Sequence, residues 1–164
     1  MTRTDALARP SPHLAPVPAP SACAIADEAY RLAVCLLDDD GAAAALLTKV
    51  VGAVRPLRLG HATLAVRAVV LRRLIAGARA ARVGRTVAPS RPARTPLPEL
   101  QALPTAEREV LALALACGLC VGDAARVLRI DATHARALRR TAHRHVVAFG
   151  RAGAGSAPAA ERSR

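Results

Sequence analysis

Apolar side chains recur every three or four residues along most of the chain, which is the spacing of one side of an α-helix. The first such stripe comprises Ile25, Ala29, Leu32 and Leu36. A second stripe, in the basic segment from about residue 61 to residue 83, comprises Leu64, Ala68, Leu71 and Ile75. No segment alternates apolar and polar residues as a half-buried strand does. The pattern therefore predicts an all-α protein.

Segments rich in proline and glycine predict how the helices are divided. Residues 1–22 are rich in Pro and Ala and are predicted to be disordered. Residues 84–98 contain four prolines, which rule out a continuous helix, and are predicted to be a linker. Two small helical domains are thereby predicted at 23–83 and 99–148, and a polar, flexible tail at 149–164.

Start and stop signals predict the helices in more detail. In the first domain the run Asp-Asp-Asp-Gly breaks the helical pattern, and Asp40 is predicted to cap the next helix. In the second domain Thr105 is predicted to cap a helix that Gly118 ends. A short helix at 121–129 follows, and Asp131 is predicted to cap a third helix that runs to about residue 147. Helix, tight turn and helix at this spacing predict a helix-turn-helix.

The charge of the chain is strongly positive and unevenly distributed. The formal net charge is +12, and Lys49 is the only lysine beside the arginines. Residues 55–94 contain ten arginines and no acidic residue, whereas residues 23–54 contain five acidic residues. This asymmetry favours a polyanionic partner, most simply nucleic acid. The alternative is a solvated basic surface, and the charge alone does not distinguish the two.

The third helix of the second domain carries the candidate DNA-binding residues. A recognition helix offers its first turns to base edges in the major groove, while neighbouring cations hold phosphates. Arginine suits both tasks, because its planar guanidinium binds guanine or phosphate through two parallel hydrogen bonds. A basic, solvated surface helix is the alternative. The positions predicted to face DNA are Thr133, His134, Arg136, Ala137, Arg139, Arg140, His143 and Arg144.

The second domain also carries a recognisable order of residues. Leu103-Pro104 is followed by Arg-Glu-Val-Leu at 108–111, and then by Gly118, Leu119, Asp123, Ala125, Leu128 and Ile130. This order resembles the C-terminal DNA-binding region of bacterial RNA polymerase sigma factors, especially the extracytoplasmic-function type. The resemblance implies that residues 132–144 read the −35 element of double-stranded promoter DNA.

The first domain carries a second match to the same family. Tyr30-Arg31-Leu32-Ala33, Leu36-Leu37, Asp39, Leu46 and Val50 follow the order of its N-terminal conserved region. The resemblance implies that this domain docks on core RNA polymerase and that its last, basic helix engages the −10 element. It implies an anti-sigma factor as a further partner. The arginines in the position of that last helix are Arg67, Arg72, Arg73, Arg79 and Arg82.

Departures from the family pattern leave two alternatives open. Residues 45–49 read Ala-Leu-Leu-Thr-Lys where the family has Asp-Leu-Val-Gln-Glu, and Val66 lies where Trp is usual. Strand opening captures unstacked bases, often on aromatic rings, and this chain has only Tyr30 and Phe149. The first alternative is a DNA-binding regulator without sigma activity. The second is a protein-interaction module, such as a polymerase accessory subunit or an anti-sigma-like partner.

The remaining candidate chemistry favours a non-enzyme without a cofactor or metal. Cys117 and Cys120 form a Cys-x-x-Cys pair, but a zinc site needs four ligands and a second such pair is missing. A redox pair is the alternative to two small hydrophobic side chains at a helix end. No Ser-His-Asp grouping, glycine-rich phosphate loop or catalytic carboxylate pair can be placed. Because no secretory signal or bilayer-length apolar run is present, we expect a cytoplasmic, nucleoid-associated protein.

Overall fold

The computed structural model describes residues 21–54, 64–83 and 98–154. These residues form helices and no strand, so the prediction of an all-α protein is confirmed for the described part of the chain. None of the described helices has the length and apolar character needed to cross a membrane. The helices are α1 (Ala22–Leu37), α2 (Asp40–Val54), α3 (Leu64–Val83), α4 (Pro98–Ala102), α5 (Thr105–Cys117), α6 (Val121–Leu128) and α7 (Ala132–Ala154).

Side chains of the preceding residues cap the starts of α1 and α2. The backbone N–H of Ala24 donates to Ser21 Oγ at 3.1 Å at the start of α1. Asp38, in the left-handed conformation, ends this helix. At the start of α2 the N–H of Ala42 donates to Asp39 Oδ1 at 2.9 Å. The predicted cap was therefore wrong by one residue, because Asp40 is already the first residue of the helix.

The start of α5 differs from the prediction, whereas its end agrees with it. Pro104, in an extended conformation, precedes the helix, and Thr105 is its first residue rather than its cap. No side chain caps this end of the helix. Gly118 ends α5 as predicted, with φ at +62° and its N–H donating to the carbonyl of Ala114 at 3.1 Å. Glycine reaches this backbone region without the steric cost that a side chain would add.

Small aliphatic side chains form the core, as the low aromatic content predicts. The predicted stripe of Ile25, Ala29, Leu32 and Leu36 is buried. On α3, Val70, Leu71, Leu74 and Ile75 are buried, and on α5 so are Val110 and Leu113. Tyr30 and Phe149 are both exposed. Leu, Val and Ala fill the space between helices without bulky rings, so the helix axes can approach closely.

Helices from both halves of the sequence contribute to one cluster of buried residues. The cluster joins Leu32 of α1 and Leu71 of α3 to Leu113 of α5 and Val127 of α6. A second, smaller cluster contains Leu100, Leu103 and Ala142. The predicted division into two domains does not correspond to two separate cores in the described residues, and it stays a prediction.

Three predicted boundaries need correction, and two segments lie outside the described residues. Ser21 caps α1 and Ala22 is its first residue, so the disorder predicted for residues 1–22 is wrong for these two residues. α4 begins at Pro98, which was predicted to belong to the linker. α7 continues to Ala154, through residues predicted to begin the flexible tail. No proline interrupts the chain there before residue 158, and the glycines weaken a helix without ending it. The predicted disorder of residues 1–20 and the linker at 84–97 cannot be compared with described structure.

Two glycines in helices provide a matched test of the packing between α2 and α3. Gly52 lies on the exposed side of α2, and a Cβ placed on it would contact nothing. A Cβ placed on Gly77 of α3 would overlap Cδ1 of Leu46. We expect Gly52→Ala to raise the free energy of unfolding by about 0.5–1 kcal/mol through helix propensity. Gly77→Ala should gain less or lose stability, because Leu46 must move. Urea unfolding followed by circular dichroism measures both, and equal gains would contradict the close approach.

Candidate nucleic-acid interface

A short turn, residues 129–131, joins α6 to α7 and sets their relative direction. Arg129 ends α6 in the left-handed conformation, with φ at +56°. The N–H of Ile130 donates back to the carbonyl of Ala125 at 3.1 Å. Ala125 is buried, and its small side chain allows the two helices to approach closely. Helix, turn and helix thus follow one another at the predicted positions.

Asp131 caps the start of α7, as the sequence predicts. Its Oδ1 accepts the backbone N–H groups of Thr133 at 2.6 Å and of His134 at 3.2 Å. The hydrogen bond from Thr133 and then that from His134 hold the pKa of the Asp131 carboxyl below its usual value. The cap therefore fixes the first turn of α7, where the predicted base-reading residues begin.

The two sides of α7 differ in size and charge. Ala135 and Ala142 on the inner side are each 0% exposed, and Leu138 is partly buried. All eight predicted DNA-binding positions are exposed, and their contact with DNA stays a prediction. They are Thr133, His134, Arg136, Ala137, Arg139, Arg140, His143 and Arg144.

An open groove of about 1070 Å³ lies between α5 and the basic side of α7. Leu111, Ala114, Leu115 and Val121 form its apolar part, and Leu115 is 53% exposed. The guanidinium-bearing wall is formed by Arg136, Arg139, Arg140 and Arg144 of α7. This groove was not predicted from the sequence. Leu115 lies off the buried stripe of α5, and that is the signal by which it could have been found.

Arg67 on α3, a predicted −10 contact, is bound within the protein. Its guanidinium donates to both carboxylate oxygens of Glu28 on α1, at 2.8 and 3.0 Å. The same group donates to the carbonyl of Cys117, the last residue of α5, at 2.8 Å. Arg67 therefore ties α3 to α1 and to the end of α5 at once. To contact DNA it would first have to leave this carboxylate.

Arg79, just over three turns of helix further along α3, binds a buried carboxylate. It donates to Glu109 Oε1 at 2.6 Å and to Oε2 at 2.5 Å. The side chain of Glu109 is only 3% exposed, whereas that of Arg79 is 56% exposed. The hydrogen bonds to Glu109 raise the pKa of Arg79. Such a two-pronged bond is the strong form of the ion pair.

Two other predicted −10 arginines, Arg72 and Arg73, donate to backbone carbonyls rather than to carboxylates. Arg72 donates to the carbonyl of Arg126 on α6 at 3.1 Å. Arg73 donates to the carbonyl of Ala53 at the end of α2, at 3.2 Å. Arg82 lies partly buried in the last turn of α3. A carbonyl orients a guanidinium without neutralising it, so Arg72 and Arg73 keep their full charge.

Charged side chains at the start of α5 are buried, which was not predicted from the sequence. Arg108, only 3% exposed, donates to the carbonyls of Leu100 at 2.9 Å and Leu103 at 2.8 Å, and to that of Gln101. It thereby satisfies carbonyl groups at the end of α4 that have no partner within that helix. The Arg-Glu pair at 108–109 is structural in this chain.

The cysteines are free thiols in different environments. Cys117 is buried, and burial, followed by the charge of Glu28, raises the pKa of its thiol to about 12. It is therefore protonated at neutral pH and a poor nucleophile. Cys120 is exposed, with its Sγ 3.2 Å from Asp123 Oδ2. Within the described residues, no three His, Cys, Asp or Glu side chains are placed to hold a metal ion.

Comparison of the chain with models of known protein families gives no match, and comparisons with curated proteins and with solved structures give none either.

The cap at Asp131 makes a testable contribution to stability. Because the pKa of Asp131 is lowered in the folded state, its contribution is complete above the unfolded pKa of about 4. It is lost as the pH falls through the lowered folded pKa. We expect Asp131→Ala to have a lower Tm than the parent at pH 7. The difference should shrink as the pH falls below about 4. Thermal unfolding of both proteins from pH 7 to pH 3 measures this, and a pH-independent difference would contradict the charged cap.

The Arg79–Glu109 pair provides a second prediction. Arg79→Met keeps the aliphatic stem but leaves the buried Glu109 carboxylate without its partner. We expect a loss of about 1–3 kcal/mol in the free energy of unfolding. Water at the half-exposed Arg79 should keep the loss towards the lower value. Arg73→Met is the matched control, since that exposed residue binds only a carbonyl, and it should change stability by less than about 0.5 kcal/mol. Urea unfolding compares the two variants, and equal losses would argue against a special role for the pair.

Proposed function

We propose that the chain is a sigma-factor-like protein that binds promoter DNA through α7. The observation that carries this proposal is the contrast between the two sides of that helix. Alanines on its inner side are completely buried, while arginines and histidines on its outer side are exposed. A single helix with an accessible cationic side has the shape and charge that fit the major groove.

The charge of α7 supports a polyanionic ligand. Residues 132–154 contain five arginines, three histidines and no acidic residue. The arginines are Arg136, Arg139, Arg140, Arg144 and Arg151. Two carboxylates contact the helix: Asp131 accepts backbone N–H groups of the first turn, and Glu107 of α5 lies 2.7 Å from Nδ1 of His145. The arginines of the helix form no ion pair with a carboxylate of the described residues, so their charge remains to attract phosphate.

The order of the exposed residues supports a division of labour along the helix. Thr133, His134 and Arg136 lie in the first turns, which usually contact base edges in a helix-turn-helix. Arg140 and Arg144 follow one and two turns later on the same side, where phosphates of the groove wall can be reached. In this proposal the first group provides sequence preference and the second provides affinity.

RNA polymerase binding is part of the proposal through the resemblance of the first half of the chain. Tyr30 and Val51 are exposed on α1 and α2 and offer apolar contacts to a partner protein. In the sigma factors that this region resembles, the corresponding helices dock on the polymerase. Core RNA polymerase is therefore the proposed protein partner, and an anti-sigma factor is a further one.

A regulator without initiation activity is the second candidate function. The internal bonds of Arg67 and Arg79 favour it, because these arginines hold α3 against other helices. Contact of α3 with a −10 element would require these bonds to break. The groove beside α7, with the exposed Leu115, favours a protein-interaction module instead.

Reconstitution separates these functions. The full chain is first used to select duplexes from a random DNA pool. The selected duplexes are then tested with the protein alone and with core RNA polymerase. Polymerase-dependent transcripts support initiation, and duplex binding without polymerase binding supports the regulator. Failure to enrich any duplex, together with salt-insensitive binding to polymerase, would leave only the interaction module.

Arg136 and Arg140 provide the quantitative test of the α7 assignment. We expect Arg136→Ala and Arg140→Ala each to weaken binding to a selected duplex by about 1–3 kcal/mol if the residue contacts a base. If the residue contacts only phosphate, its substitution should instead reduce the salt dependence of binding. Arg31→Ala, an exposed arginine on α1, is the control and should change affinity little. Fluorescence anisotropy at several salt concentrations measures these effects, and unchanged affinity in both α7 variants would overturn the assignment.

A further inference from the structure

A second groove, of about 320 Å³, lies where the basic helix α3 meets α6. Four arginines line it: Arg72, Arg73 and Arg79 from α3, and Arg129 from the end of α6. No acidic residue is among the described residues that line it. Four guanidinium groups around one small space repel one another, and the repulsion is stronger beside apolar side chains than in open water.

Internal contacts neutralise only one of these four charges. Arg79 has the Glu109 carboxylate. Arg72 and Arg73 each donate to a backbone carbonyl, which fixes their direction and leaves their charge. The Nε of Arg72 is buried and has no hydrogen-bond partner among the described residues. The groove thus holds oriented cations that have N–H groups left to donate.

The chain segments on either side of α3 cannot supply the missing negative charge. Residues 55–63 contain two arginines and no acidic residue, and residues 84–97 contain three arginines and no acidic residue. Asp123 on α6 is already paired with Arg126 at 2.7 Å. An external anion is therefore the natural partner of this site.

The remaining part of the groove is apolar and narrows the class of anion. Ile75 and Ala76 of α3 face Val127 and Leu128 of α6 across it. A phosphate alone would gain nothing from this apolar part, whereas a base or sugar attached to the phosphate would pack on it. The volume is at the lower end of the range of small-molecule sites, about 300–1000 Å³.

We propose that this groove binds a nucleoside phosphate, with the phosphate oxygens on the arginines and the nucleoside on the apolar side chains. Arg72, Arg73 and Arg129 are the proposed phosphate ligands. Guanidinium groups bind phosphate oxygens through charge-assisted, often paired hydrogen bonds. The proposal does not depend on DNA binding by α7, because the two sites share no residue.

Binding of GTP, inorganic triphosphate and guanosine to the full chain tests the proposal. Isothermal titration calorimetry at low salt should detect GTP and, more weakly, triphosphate, and should not detect guanosine. Arg129→Gln, at an exposed position, and Arg72→Gln should each weaken GTP binding about tenfold or more, as loss of a charged hydrogen bond does. Arg136→Gln, in α7, is the matched control and should leave GTP affinity within about twofold.

The outcomes separate this site from the DNA-binding surface. Circular dichroism establishes that each variant is folded, and Arg129→Gln decides the result if Arg72→Gln does not fold. Absence of GTP and triphosphate binding would overturn the proposal. So would GTP binding that survives Arg129→Gln but is lost in Arg136→Gln, since the anion would then lie on α7. Loss of duplex affinity in Arg129→Gln without any GTP binding would also overturn it and would assign the groove to nucleic acid.

Discussion

The bonds between the arginines of α3 and the carboxylates and carbonyls around them are the constraint on which the arrangement depends. Arg79 reaches the nearly buried Glu109 of α5, and Arg67 joins Glu28 of α1 to the end of α5. Glu109 is nearly buried and Glu28 is partly buried, and an unpaired charge is costly where water is excluded. Arg67 and Arg79 therefore hold α3 against α1 and α5. Separating these helices would leave a carboxylate without its partner.

The helices could be predicted from the sequence because their signals are local. The stripe from Ile25 to Leu36 is buried as its spacing predicts, and Gly118 ends α5. Helix starts were less accurate, since neighbouring residues such as Asp39 and Asp40 can both accept an N–H group and only the backbone decides between them. The continuation of α7 to Ala154 was missed because glycine lowers helix propensity without determining a boundary.

The partners of the charged residues could not be predicted in the same way. Arg67 and Glu28 are 39 positions apart, and Arg79 and Glu109 are 30 positions apart. A count of charges treats these arginines as available cations, although their carboxylates are brought to them by packing. The exposed arginines of α7 are different, because their exposure does not depend on a partner distant in the sequence and was predicted from the helical segment itself. Sequence patterns thus predicted which cations face outward on an amphipathic helix, and they failed where a distant acid determines the environment.

The two buried alanines on the inner side of α7 have a consequence for how this protein can change during evolution. Ala135 and Ala142 are completely covered, so a larger side chain at either position would force the helix away from the helices on which it packs. The outer positions touch no comparable wall and can accept many side chains. Mutation can therefore alter the size and charge of the outer side while the two alanines preserve where the helix lies. Surface chemistry and fold are thus encoded on separate faces of α7, which allows related chains to diverge in one without losing the other.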